Sequence, residues 1–160
     1  MARRQRTLAR SSIRPRGPDS RSRALSDIVN TTQRPGWDFD EETTALLEAA
    51  FDGAEEKVAL DSVVLKMGEL MDAFDALFIC AGHLDRQVRA IAEEIERRVA
   101  LATQLKPLRS EGWEFGEWVA LDYGFVIVHV FDETTREYYD LEHLWNAAPS
   151  FRRSGTVSAQ

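Results

Sequence analysis

The side chains with nitrogen or sulfur ligands for a transition metal are three histidines and one cysteine. His83, His129 and His143 share no metal-ligand spacing with one another or with Cys80, so a zinc site would need distant loops to converge. No metal site is therefore expected. His129 stands within an apolar run, where a neutral imidazole that donates to the backbone or to a neighbour is the usual outcome. A contact within a dimer is the alternative.

Nucleotidyl transfer would require carboxylates that converge on Mg²⁺, commonly an Asp-x-Asp pair on a strand, and a Gly-Ser-type turn for the phosphates. The pair with this spacing, Asp38 and Asp40, precedes the first predicted helix, whereas Asp61 and Asp75 each stand alone. At a later turn, Gly82 is followed by His83 and not by a serine. No Ser-His-Asp, Walker-type or Gly-rich phosphate motif occurs. We therefore expect no enzymatic activity, no cofactor and no small-molecule substrate, and keep a nucleotidyltransferase as the less favoured alternative.

The elements that would position side chains for binding are clearest from residue 118 onward. Alternation over WVALDY predicts a strand with Trp118 and Asp122 on one side. A turn at Gly124 leads into the run from Phe125 to Phe131. Its apolar content, largely β-branched or aromatic, favours a central strand that is covered on both faces. The sequence therefore predicts a hairpin whose second strand is central.

A helix is predicted after this hairpin, because Tyr138, Leu141, Leu144 and Trp145 recur at intervals of three and four residues. Adjacent helical side chains point about 100° apart, so only one of two neighbouring tyrosines can lie fully in the core. Tyr138 shares the stripe of Leu141 and Trp145 and is the predicted core residue. Tyr139 is predicted to face outward.

Helices and strands also alternate in the upstream part of the chain. Asp40 is the predicted N-cap of a first helix that stops at Gly53. Asp85 is the predicted N-cap of a second helix that runs to about Gln104. The other predicted elements are two strands, Val58 to Leu65 and Ala76 to Ala81, and a loop, Pro107 to Gly116. The order α-β-β-α-β-β-α predicts an α/β fold, a mixed sheet with helices packed on it.

Charge is distributed unevenly along the 160 residues. Residues 1–36 hold nine Arg, no Lys and two Asp, a net charge of +7, so the remaining residues carry −14 to give the overall −7. An acidic body repels phosphate backbones, which argues against nucleic-acid binding by the folded part and favours a basic protein as partner. The single Cys80 cannot form an internal disulfide, and no apolar run is long enough for a membrane span. A soluble intracellular protein is expected.

The two ends of the chain are predicted to be disordered tails. Residues 1–37 are rich in Arg and Ser and poor in large apolar residues, so they cannot bury enough surface to offset the entropy of ordering. Composition alone leaves open a solvated tail, an RNA-touching arm and an organelle targeting segment. Pro149 stops the fold, and residues 149–160 form the second predicted tail. The predicted domain spans residues 38–148.

Six segments carry, in order, a resemblance to a known family: VALDSVV, FDALFICAG, RQVRAIAEEI, EG, WVALDYGFVIVHVF and YYDLEHLW. From Thr44 to Trp145 the chain resembles the ribosomal silencing factor family, also called the Iojap-related family. The resemblance implies a mixed sheet related to nucleotidyltransferase folds, without an established enzymatic activity. It also implies that the protein binds large-subunit ribosomal protein fourteen and thereby blocks joining of the small subunit. Away from the ribosome, it implies a homodimer. The sequence departs from the family at His83, where small hydroxyl residues commonly follow the glycine.

Carried over by motif, the resemblance implies that Trp118, Asp122 and Tyr139 touch the ribosomal protein, with Asp75 and Tyr123 as further candidates. The alternative for Trp118 is a core aromatic, but Asp122 on the same side of the strand argues against deep burial. The alternative for Asp122 is turn chemistry, in which its carboxylate accepts local amide hydrogen bonds. An exposed Trp beside a carboxylate is a typical binding hot spot.

The expected function is therefore repression of translation by a protein that binds the large ribosomal subunit in the cytoplasm. The organelle matrix is the alternative location, if the leader is a transit peptide. The alternative function is an RNA-binding ribosome assembly factor that acts through the basic N-terminal arm. The two functions differ in the part of the chain that makes the contact.

Overall fold

The structure, a computed structural model, describes residues 36–153, and the compact unit beginning at Asp38 contains the elements below. Its helices are α1 (Glu41–Glu56), α2 (Asp85–Thr103), α3 (Glu133–Tyr139) and α4 (Leu141–Leu144). Its strands are β1 (Leu60–Lys66), β2 (Ala76–Gly82), β3 (Arg109–Glu111), β4 (Trp118–Asp122), β5 (Val126–Asp132) and β6 (Ser150–Phe151). The predicted basic tail lies outside the described residues up to residue 35, as does the predicted C-terminal tail from residue 154.

The strands form one mixed sheet in the order β3-β4-β5-β2-β1-β6. The central strands β2 and β5 are parallel, and each of the other neighbouring pairs is antiparallel. Parallel neighbours need a long crossover connection, which α2 and the strands after it provide. The predicted fold class, a mixed sheet with flanking helices, is confirmed. No helix among the described residues is long and apolar enough to cross a membrane.

One face of the sheet is buried beneath α1 and α2. The Phe51 ring of α1 meets the Phe78 ring of β2 edge to face, with the ring centroids 5.0 Å apart. Val119 and Leu121 of β4 are also fully buried, because α2 packs on this side of the strand. This face supplies the main core.

The opposite face carries a second apolar cluster, built on Val63, Leu65, Met67, Leu77, Ile79, Phe131 and Ala148. Partly buried side chains pack around it, among them Trp118 and Ile127 of the sheet and Leu141 and Trp145 from the C-terminal region. The helices on this side, α3 and α4, are seven and four residues long. They cover only part of the sheet, so β4 and much of β5 remain half-open.

Two predicted helix boundaries are wrong. Helix α1 passes through Gly53 and ends at Glu56. A Cβ at Gly53 would lie 2.9 Å from a backbone atom of α2, so the glycine allows close packing of two helices rather than ending one. Asp85 is the first residue of α2 and pairs with Arg89 at 3.1 Å, whereas Leu84 occupies the N-cap position without a side-chain hydrogen bond.

Two short edge strands were not predicted. β3 lies within the predicted loop Pro107 to Gly116 and pairs with β4. β6 pairs with β1, so the expectation of a disordered tail is wrong for Ser150 and Phe151. Arg153 then contacts α1, with guanidinium nitrogens 2.9 Å from Glu48 and 2.7 Å from Asp52. The ordered domain therefore extends beyond its predicted end.

Candidate protein-binding face

The side of β4 and β5 that faces away from α2 is half-buried and continuous. Along β4 its residues are Trp118, Ala120 and Asp122, and along β5 they include Ile127 and His129. Cross-strand partners project to the same side of a sheet, and the register pairs Ala120 with His129 and Asp122 with Ile127. We call these five residues, together with the bordering Tyr139 of α3, the open face.

Trp118 is held in one orientation by contacts on several sides. Its ring centroid lies 4.8 Å from that of Phe131 and 4.7 Å from that of Tyr139. Its indole Nε1–H donates a hydrogen bond to Nδ1 of His129 at 2.9 Å. Part of the ring is therefore packed and the rest remains accessible, so Trp118 combines the core position and the surface position that were predicted as alternatives.

The hydrogen bond from Trp118 fixes the protonation of His129. An indole N–H can only donate, so Nδ1 accepts and the neutral ring carries its proton on Nε2. Burial lowers the pKa of His129 to about 4, although the nearby Asp122 favours the charged ring. The geometry fits the predicted neutral imidazole, except that the ring accepts from its neighbour instead of donating to it.

Of the two tyrosines at the end of α3, Tyr138 differs from its predicted placement, whereas Tyr139 faces outward as predicted. Tyr138, the predicted core residue, is 80% exposed, whereas Tyr139 is 48% exposed and lies against the Trp118 ring. The reason is that Asp140 adopts a left-handed backbone with φ of 46°, which ends α3 before α4 begins. The apolar stripe through Leu141 therefore does not extend back to Tyr138.

Asp122 closes the open face at the hairpin turn. One carboxylate oxygen accepts the Gly124 N–H at 2.8 Å, and the other lies 3.5 Å from a guanidinium nitrogen of Arg109 on β3. The turn chemistry that was predicted as an alternative is therefore present. The Asp122 side chain is half-buried, and its carboxylate lies at the rim of the open face.

The other two predicted contact residues lie off the open face. Tyr123 follows Val119 and Leu121 on the buried side, is 5% exposed, and burial raises its pKa. It is a core residue, so a direct contact with a partner does not fit the structure. Asp75 is exposed just before β2, and its N–H donates to the Phe125 carbonyl at 2.8 Å. It lies at the end of the sheet where β4 ends.

Arg136, which the sequence did not single out, fixes the position of α3. Its side chain is only 11% exposed, and its guanidinium donates to the carbonyl oxygens of Leu60 at 3.2 Å and Asp61 at 2.8 Å. It also contacts the Glu142 carboxylate at 2.9 Å. One side chain thus ties α3 to β1 and α4. Tyr139 follows three residues later on α3, so its place over Trp118 depends on this anchor.

Ala120, Ile127 and His129 were also missed as members of the site. The alternation pattern of each strand contains part of the signal, since it places these residues on a common side. The remaining information is the register between β4 and β5, which decides which residues are neighbours. The hairpin prediction did not specify that register.

Three of the four candidate carboxylates for a nucleotidyltransferase site are engaged in structural contacts. Asp38 forms an ion pair with Lys66. Asp40 caps α1 by accepting a backbone N–H at 2.8 Å, as predicted, and this hydrogen bond lowers its pKa. Asp61 lies 2.8 Å from Arg152. In the described part of the chain, no three His, Cys, Asp or Glu side chains are grouped as a metal site requires.

Comparisons with known proteins agree with this architecture. Residues 40–160 match the family model described as ribosomal silencing factor during starvation. The ribosomal silencing factor RsfS of Halalkalibacterium halodurans is 39% identical over 113 residues, covering 71% of this chain and 96% of the relative. The ribosomal silencing factor RsfS of Bacillus subtilis is 38% identical over 105 residues, covering 66% of this chain and 88% of the relative.

A solved structure shows the same fold. The crystal structure of a protein from Chromobacterium violaceum superposes with a TM-score of 0.62 at 29% identity, covering 72% of this chain and 92% of that one. The family model spans most of the chain, and the H. halodurans relative is matched over nearly its full length. The chain belongs to the ribosomal silencing factor family.

Proposed function

We propose that this protein represses translation by binding large-subunit ribosomal protein fourteen through its open face. This binding blocks joining of the small subunit. The observation that supports the proposal is the unequal covering of the sheet. One side is buried beneath two long helices, whereas the other exposes parts of Trp118, His129 and Tyr139 beside Asp122. A partly open aromatic cluster with a carboxylate at its rim is typical of a protein-binding hot spot.

The charge of the chain supports a basic protein as the partner. The net charge of the whole chain is −7. Residues 1–36 have a net charge of +7, so the rest of the chain has a net charge of −14. A negative body is attracted to the Lys- and Arg-rich proteins of a ribosome and repelled by exposed RNA phosphates. This difference favours a ribosomal protein over ribosomal RNA as the surface that the open face contacts. Binding should weaken as salt is added, because exposed charges are screened.

The proposed mechanism is steric exclusion and involves no reaction step. A surface that both the small subunit and this protein need can hold only one of them, so binding alone prevents subunit joining. The fold suits this role because the open face is built on a sheet whose opposite side is closely packed. Such a surface loses little conformational freedom on binding.

Two alanine-to-arginine substitutions form a matched pair that tests the proposal. Ala120→Arg places a long cationic side chain in the middle of the open face, where it would obstruct the contact and repel a basic partner. Ala102→Arg makes the same change at an exposed position near the end of α2, which packs on the opposite side of the sheet from the open face. In sucrose gradients, wild type and Ala102→Arg should travel with the large subunit and reduce whole ribosomes, whereas Ala120→Arg should do neither. Equal binding by both variants would contradict the proposal.

The proposal includes location and oligomeric state. We expect a bacterial cytoplasm, because the two curated relatives named above come from bacteria. Away from the ribosome we expect a homodimer, on the basis of the family resemblance. Light scattering of the purified protein, alone and after addition of large subunits, would test the homodimer and whether it separates on binding.

A further inference from the structure

His129 presents one ring nitrogen to the protein and the other to solvent. Nδ1 accepts the Trp118 indole N–H at 2.9 Å, so Nε2 carries the proton. Among the described residues, the buried side-chain polar atoms without a hydrogen-bond partner are Ser62 Oγ and Tyr123 Oη. Nε2 of His129 is not among these enclosed atoms and has no partner in the described part of the chain. It is therefore a free donor that solvent reaches.

This donor stands in apolar surroundings at the centre of the open face. The His129 ring centroid is 5.6 Å from that of Trp118 and 6.0 Å from that of Phe131, and Ala120 is its cross-strand partner. A partner that covers this area removes the water from Nε2–H. An N–H that loses water without gaining an acceptor costs binding energy, so the position selects partners that supply one.

We infer that His129 is a specificity-determining residue of the open face, and that its Nε2–H donates to a main-chain carbonyl oxygen of the bound ribosomal protein. This inference rests on the proposed function and adds a specific contact to it. A carbonyl is favoured over a carboxylate as acceptor because Asp122 lies on the same face and the body carries excess negative charge. Like charges at a contact oppose binding.

Two amide substitutions separate the roles of the two ring nitrogens. An Asn side chain can place its oxygen near the position of Nδ1 and accept from Trp118, but it has no group at the position of Nε2. A Gln side chain reaches the position of Nε2 with its NH₂ group and supplies no matching acceptor for the indole. His129→Asn therefore removes the outward donor, whereas His129→Gln removes the inward acceptor.

The experiment measures the affinity of wild type, His129→Asn and His129→Gln for purified large ribosomal subunits, with thermal unfolding of each. We expect His129→Asn to bind about tenfold more weakly than wild type, and we expect His129→Gln, which keeps the outward donor but loses the contact that orients Trp118, to lose clearly less affinity than His129→Asn. A purely structural role predicts the reverse order, because the Gln variant loses the internal hydrogen bond. The reverse order, or wild-type affinity in His129→Asn, would overturn the inference while wild-type binding still supports the proposed function. Failure of wild type to bind would overturn both.

A second measurement does not depend on the folding of any variant. The ¹⁵N chemical shifts of the His129 ring distinguish a proton on Nε2 from a proton on Nδ1. At pH 7 the wild-type ring should carry its proton on Nε2, and this resonance should shift when large subunits are added. A proton on Nδ1, a doubly protonated ring, or an unchanged Nε2 resonance in the bound state would contradict the assigned contact.

Discussion

The indole of Trp118 and the imidazole of His129 form a hydrogen-bonded pair across β4 and β5, with 2.9 Å between Nε1 and Nδ1. In the strand register Trp118 lies opposite Phe131, so His129 is its diagonal neighbour. The contact orients the indole that the open face presents. It also requires a neutral His129, which links the site to pH.

Acid should destabilise the fold through His129. The pKa of this residue falls from 6.5 to about 4 on folding, so between these values the unfolded chain binds more protons than the folded one. The stabilisation from the neutral ring is therefore complete above about pH 6.5 and is lost as the pH falls towards 4. Urea unfolding between pH 7 and pH 4.5 should show a smaller loss of stability in His129→Gln than in wild type.

The control for this pH series is His143→Gln, because His143 is exposed on α4. This variant should lose stability in acid to the same extent as wild type. If His129→Gln also followed the wild-type curve, the neutral, half-buried ring of His129 would not be a source of the acid sensitivity.

Tyr139→Ala should weaken binding of the large subunit by at least about tenfold, because it removes an exposed ring beside Trp118 from the open face. Loss of the ring contact should lower the free energy of unfolding by only about 1 kcal/mol. Tyr138→Ala is the matched control, since Tyr138 is 80% exposed and is not part of the open face. Sedimentation binding assays of the two variants should differ clearly, and equal losses would argue against a specific role for Tyr139.

The hairpin was predictable because its signals are local, whereas the expectation that β5 is covered on both faces is wrong, since Ile127 and His129 are only half-buried on the open face. Alternation over β4 and the apolar run of β5 indicate two strands, and the alternation also indicates which residues of β4 share a side. The break after Tyr139 was not predictable from periodicity, since the stripe from Tyr138 to Trp145 fits one continuous helix. The structure instead breaks this stretch at Asp140, and Arg136 links α3 and α4 through Glu142. Tertiary contacts override the local pattern here.

The strands and contacts that were not predicted also depend on tertiary structure. β3 and β6 are three and two residues long, too short to show a period, and they form by pairing with strands that already exist. The Trp118–His129 contact depends on the register between strands, which alternation within one strand does not determine. Arg136 has the same sequence appearance as any exposed arginine. Its burial follows from the carbonyl oxygens that surround it.

Arg136→Met should lower the free energy of unfolding by about 3 kcal/mol, because two carbonyl oxygens and the Glu142 carboxylate would lose a buried cation. Urea denaturation measures this change. Arg97→Met is the control, because Arg97 forms an ion pair with Glu94 within one helix and its own side chain is exposed. The stability of Arg97→Met should stay close to that of wild type. A loss below about 1 kcal/mol in Arg136→Met would show that α3 does not depend on this anchor.

Deletion of residues 1–35 should leave large-subunit binding within about twofold of wild type, because the residues that define the open face lie between Trp118 and Tyr139 and the acidic body supplies the attraction to a basic protein. The alternative function, in which the Arg-rich arm binds RNA, predicts loss of binding and a much smaller salt dependence after the deletion. Sedimentation assays at low and high salt distinguish the two outcomes.

The most direct test of the central claim is a density map of the large ribosomal subunit with this protein bound. We predict that Trp118 and Tyr139 lie against ribosomal protein fourteen, at the surface the small subunit would otherwise occupy, with Nε2 of His129 about 3 Å from a carbonyl oxygen. A bound protein that turned α1 and α2 towards the ribosome and left the open face in solvent would contradict the account.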